Sequence, residues 1–154
     1  MKNWATQMAA AALVLTVIGA GTAASRSALA GAIEDRQAEM NKIQRANKAL
    51  QRAAKTGQVG AARRHAWTIV ASADRLGGLF PRGSDYRGLG LKTTRAKPNI
   101  WKHWTSFTRR LNGMKQVAES VAGGNMAAAR KMDGQCSGCH KHYRASKTRR
   151  KKKR

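Results

Sequence analysis

Apolar residues recur along this chain at alternating steps of three and four, the spacing of one helix face, and almost nowhere at the step of two that marks a strand. A first segment, from about Ala32 to Lys55, carries Ile33, Met40, Ile43, Asn47, Leu50 and Ala54 on one stripe, with Arg36, Lys42, Arg45 and Lys48 largely off it. Thr56-Gly57 ends it, glycine being the common helix stop. A second segment, Gln58 to Leu76, aligns Val59, Ala62, Ala66, Ile69, Val70, Ala73 and Leu76 before Gly77-Gly78. Residues 79–97 contain Pro81, Gly83, Gly88 and Gly90 and predict a long connection without regular structure. Pro98 is suited to open a third helix, whose face is Ile100, Trp104, Phe107, Leu111, Met114, Ala118 and Val121. After Gly123-Gly124, Asn125 is the expected N-cap of a fourth, with Met126, Ala129, Met132, Cys136, Cys139 and Tyr143 on its inner side.

Four helices of roughly 20 residues, two pairs joined by short turns and one long connection between helices two and three, predict an all-α, antiparallel four-helix bundle. The second helix is rich in alanine. A core lined by such small side chains leaves room for a large group between the helices.

The fourth helix ends in Cys136-Ser137-Gly138-Cys139-His140. C-x-x-C-H is the attachment pattern of a c-type haem. On a helix the two sulfurs stand about one turn apart and reach one edge of a flat ring. The next imidazole then reaches the iron from below. Three other readings compete. A thioredoxin-type dithiol belongs to a βαβ pattern, which is missing; a zinc site needs four ligands, and no second cysteine pair exists. A disulfide in an exported chain gives no reason for the histidine.

The N-terminus bears on that choice. Lys2 precedes an apolar run from Met8 to Ala24, and Ala28-Leu29-Ala30 is an A-x-A cleavage pattern. Residues 1–30 are therefore expected to be a signal peptide removed after Ala30, since the apolar core from Ala9 to Ala20 is short for a membrane span of about 20 residues. That puts the protein in the periplasm, where haem is attached to such motifs. Residues 31–145 form the domain, and 146–154 a basic tail without fixed structure.

Of the 31 Lys and Arg, only Lys2 and Arg26 fall in the signal, so the remaining chain carries 29 against 7 acidic residues, a net charge of +22. Such a charge favours acidic partners, an acidic redox protein or the anionic membrane surface through the basic tail. Export argues against nucleic acid as the partner. No acid/base constellation or phosphate-binding loop is legible, so no enzymatic activity is expected.

The chain resembles the class II cytochromes c, the family of cytochrome c' and its low-spin, methionine-ligated relatives. Arg36-Gln37 with Met40 one turn on is similar to the family's R-Q-x-x-hydrophobic pattern. Arg95-Ala96-Lys97-Pro98-Asn99-Ile100-Trp101 is similar to its lead-in to the third helix, and Cys136-x-x-Cys139-His140-x-x-Tyr143-Arg144 to its C-terminal signature. The resemblance runs from about Ile33 to Arg144; the basic surface and tail depart from it.

It implies one covalent haem c, with Cys136 and Cys139 as thioether anchors and His140 as proximal iron ligand. It implies that Arg36 and Gln37 neighbour the propionates, that Lys97 reaches one, and that Arg144 lies by the proximal imidazole. His65, His103 and His142 match no motif and are read as surface or packing residues. Met40 is implied over the distal side of the iron. Bound there, its thioether makes a six-coordinate electron carrier, the reading adopted here. Packed against the ring only, it walls an apolar pocket open to NO or CO. The family also implies a homodimer through the first two helices, which their basic faces oppose.

Overall fold

The computed structural model describes residues 20–87 and 94–146, and of 20–25 the backbone only. The expected signal peptide up to residue 19 and the expected tail from Lys147 on lie outside the described residues. Five α-helices follow in order: α1 (Ala20–Lys55), α2 (Val59–Leu76), α3 (Asn99–Lys102), α4 (Trp104–Ala122) and α5 (Met132–Tyr143). A 3₁₀ helix, Met126–Lys131, leads into α5. They form a four-helix bundle in which α3 with α4, and the 3₁₀ turn with α5, each fill one corner. Among the described residues there is no strand, and no helix long and apolar enough to cross a membrane.

The stripes pack largely as patterned. Ile33, Ile43 and Leu50 of α1, Ala62, Ala66, Ile69 and Leu76 of α2, and Phe107, Leu111, Ala118 and Val121 of α4 are all buried. Alanines dominate the α1–α2 seam, so these backbones approach closely. Across it, the nearly buried Glu39 accepts from Arg75 Nε at 3.0 Å and from Lys42 Nζ at 2.8 Å, and these partners hold its pKa down to about 2. At the turn after α1, Gly57 takes φ 69°, a left-handed conformation that glycine adopts without a Cβ penalty.

Several expectations are corrected. α1 begins at Ala20, a dozen residues before the expected start of the first helix. Arg36, assigned off the stripe, is 4 % exposed. Val59 and Trp104, assigned to buried faces, are 44 % and 41 % exposed because each sits at the first position of its helix, at an end of the bundle. The third helix breaks at His103, whose φ −126°, ψ 49° lies outside the helical region and separates α3 from α4. Asn125 stands at the N-cap position without a side-chain cap hydrogen bond, and the turn it opens is the tighter 3₁₀ form.

The long connection is also less irregular than its glycines imply. Ala96 bridges Arg144 in an antiparallel pair; Lys97 N donates to Tyr143 O at 2.9 Å, and Ala145 N to Arg95 O at 2.8 Å. The end of the connection is thereby fastened to the C-terminal end of α5.

Candidate functional site

Helix α5 carries the motif. Cys136 and Cys139 are free thiols, half-buried, and packed against the main core cluster. Burial pushes both thiols up, Cys139 to about 11, which keeps them protonated. His140 is half-buried; burial first, then Arg144 and Arg95, lower its pKa and favour the neutral imidazole, the form that ligates metals. Among the described residues no three His, Cys, Asp or Glu gather as a metal cage.

The helix seams differ in a way that bears on a large cofactor. α1 packs along α2, α2 along α4 and α4 along α5, whereas α1 and α5 share almost no close packing. The last corner is instead pinned to α1 by two hydrogen bonds. Gln51 Nε2 donates to Ala129 O at 2.7 Å, and Asn47 Nδ2 to Asp133 Oδ1 at 2.7 Å. Between these pins α1 steps back four residues as the other chain segment steps forward four, the register of antiparallel neighbours. Seven residues further along each helix, roughly 10 Å at 1.5 Å per residue, the same register brings Met40 level with His140. Cys139 stands one residue before. The sparsely packed seam between α1 and α5 is thus bordered by Met40 on one side and by the motif on the other. Met40 is half-buried against the same core cluster as the two cysteines. The donor set fits a haem: two thiols one turn apart, a neutral imidazole beside them, and a soft thioether across the seam.

Arg36, one turn before Met40, is not at the rim of this seam. Its Nη1 donates to Leu79 O at 3.2 Å and Ser84 Oγ at 3.0 Å, and its Nη2 to Ser84 O at 2.9 Å and Thr94 Oγ1 at 2.8 Å. The guanidinium also lies 4.7 Å from the centroid of the Phe80 ring. Every one of these partners is neutral, and burial alone lowers its pKa to about 10. Arg36 therefore clamps the connection between α2 and α3, and among the described residues no carboxylate pairs with its charge. Gln37 is exposed.

Lys97 and Arg144 stand with His140 at the C-terminal end of α5. Lys97 Nζ donates to Lys141 O at 3.2 Å, a carbonyl of the last turn, where a cation also complements the helix dipole. Arg144 is exposed and is the C-cap residue. Two participants escaped the sequence reading. Arg95 reaches this end by donating Nε to Ala145 O at 2.7 Å, and Arg110 stands close enough to Cys139 to oppose the rise of its pKa. The alternation Arg95-Ala96-Lys97, with only the alanine apolar, was the available signal for the first; none existed for the second. His65, His103 and His142 are not among the residues brought together at the seam.

The family model described as Cytochrome C' matches residues 31–144. No curated protein matches the chain. Among solved structures, the chain is similar to the cytochrome c' from Rhodobacter Spheriodes, with TM-score 0.66, 21% identity, and coverage of 77% of this chain and 98% of that one. It is similar to the cytochrome c' from Thermochromatium tepidum, with TM-score 0.66, 23% identity, and coverage of 75% and 95%. A third is described as a cytochrome c' with an unusual ligand-controlled dimer dissociation, with TM-score 0.59, 23% identity, and coverage of 75% and 95%. At these identities the likeness speaks to fold.

Proposed function

The chain belongs to the cytochrome c' family, and from that membership we propose that it is an exported one-electron carrier whose iron is held between His140 and Met40. As a member it is a haem-binding c-type cytochrome with one covalent haem c, and Cys136 and Cys139 supply the motif for it. What supports the finer reading is the register of the two pins at Asn47 and Gln51, which, continued seven residues along each helix, brings Met40 level with His140 across the thinly packed α1–α5 seam.

When bound, the haem supplies a couple that gains and loses a single electron. The chain's own residues do the rest. The thiols of Cys136 and Cys139 would hold the haem on α5 through thioether bonds, each S–H adding across a vinyl group of the porphyrin. His140 offers a neutral imidazole, kept so by burial and by Arg144 and Arg95. Met40 offers its sulfur from α1, and a Met/His pair raises a haem's reduction potential. The buried charge of Arg36 and the exposed one of Arg144 bias the same potential by favouring the electron-rich state. Gln37 and Lys97 are the candidates to face the propionates, whereas the guanidinium of Arg36 is taken up by Leu79, Ser84 and Thr94.

A second reading has an observation in its favour. Met40 packs against the core cluster, which is also what a pocket wall does. The protein would then be a five-coordinate binder of NO or CO, for sequestration or sensing. A homodimer through α1 and α2 would bring together the groove between them, about 470 Å³ and bordered by Lys42, Arg45, Lys48 and Arg52. Its like charges disfavour such pairing at low salt.

The assignment of residues 1–30, 31–145 and 146–154 to signal, domain and tail is tested together with the cofactor. Protein from a host competent in haem attachment is expected to have the mass of residues 31–154 plus one haem. Its reduction should titrate as a single one-electron step. A protein with free thiols and no haem would contradict the site; a mass that includes residues 1–30 would contradict the processing alone.

A further inference from the structure

The antiparallel pairing of residues 95–97 with 143–145 does more than fasten a loop. Ala96, Tyr143 and Ala145 are buried. Arg144 is exposed, and Arg95 and Lys97 are half-buried beside it. With Lys141 they border a recess of about 490 Å³ that has His140 in its wall. Among the described residues no Asp or Glu lines it. Ser146 is at its rim, and residues 147–154, which follow directly in sequence, contain seven cations and no anion.

We propose that this recess is the docking site for an acidic polypeptide segment, a loop or helix end of a redox partner that presents two or more carboxylates. The proposal rests on the electron-carrier reading, because it makes the iron's own ligand the point of approach. Four cations around a concave site suit side chains that can enter it, and guanidinium groups grip carboxylates through paired hydrogen bonds. A flat membrane surface cannot follow the chain into a recess. The cations do two things. They attract an acidic partner over distances of about 10 Å at 0.1 M salt, and they orient it with its carboxylates beside His140. Docked negative charge stabilises the oxidised state, so the bound protein has the lower reduction potential. By reciprocity the oxidised protein binds the acidic segment more tightly than the reduced one.

The test uses the haem-bound full chain and a fluorescent decaglutamate peptide at low ionic strength. Removing three charges at the recess (Arg95→Gln, Lys97→Gln, Arg144→Gln) is expected to weaken binding at least tenfold. Removing three on α1 (Arg45→Gln, Lys48→Gln, Arg52→Gln) should weaken it less than threefold. Lys141→Gln with Arg144→Gln leaves the side-chain bonds of Arg95 and Lys97 in place and should still cost severalfold, should the triple variant misfold. Saturating peptide should lower the reduction potential of the unmutated protein and not that of the recess variants. Equal weakening by the recess and α1 variants would overturn the proposal, since binding would then follow net charge alone. Indifference of the peptide to every recess variant would overturn it as well, as would recess-dependent binding of phosphatidylglycerol vesicles in place of the peptide. Failure of the carrier reading is distinct: it appears in the spectrum of the peptide-free protein.

Discussion

Met40→Ala is expected to turn a low-spin iron into a high-spin one, five-coordinate or water-ligated, while the bundle stays folded. The side chain is half-buried on α1, so its loss costs the fold less than the roughly 2–5 kcal/mol of a fully buried methionine. The effect on the metal is far larger. Without a thioether the ligand pair that raises the potential is gone, and the potential should drop on the order of 0.1 V, a fraction of the roughly 0.8 V that axial ligands span. CO should bind the reduced variant rapidly, because no sulfur has to leave first. Absorption spectra, potentiometry and stopped-flow CO mixing read these three effects. An unmutated protein that already behaves in this way would make Met40 a pocket wall and bring the gas-binding reading forward.

Arg36→Ala should do the opposite, sparing the iron and harming the fold. Four hydrogen bonds from one buried guanidinium hold Leu79, Ser84 and Thr94. Bonds made by a charged group contribute about 1.5–3 kcal/mol each, offset in part by relief of a buried, unpaired charge. The net loss is expected at about 2–3 kcal/mol, or on the order of 10 °C in Tm for a domain of this size. Thermal unfolding followed by circular dichroism measures it. The visible bands should keep their positions, and the potential should move only modestly, because a nearby charge is lost and no ligand. Loss of the low-spin bands in this variant would mean that the clamp also sets the distance between α1 and α5.

The contrast between these two residues reflects what periodicity can encode. Step sizes of three and four placed Ile69, Leu76, Phe107 and Val121 in the core correctly, since burial of one helix face follows from sequence spacing. The cysteines and His140 were legible for a chemical reason, because their adjacency is itself the attachment geometry. Arg36 was misassigned because its burial depends on acceptors 43 to 58 residues away, on a connection with no period. The break at His103 and the pairing of Ala96 with Arg144 escaped for the same reason: each is set by what the chain meets after folding. The register between Met40 and His140 is likewise tertiary, fixed by Asn47 and Gln51 reaching across to the last helix corner.

The most direct measurement is the visible absorption spectrum of the reduced, haem-bound protein, before and after CO. Ligation by His140 and Met40 predicts sharp, resolved α and β bands that CO alters only slowly. A broad, unsplit band in that region with an immediate response to CO would contradict it.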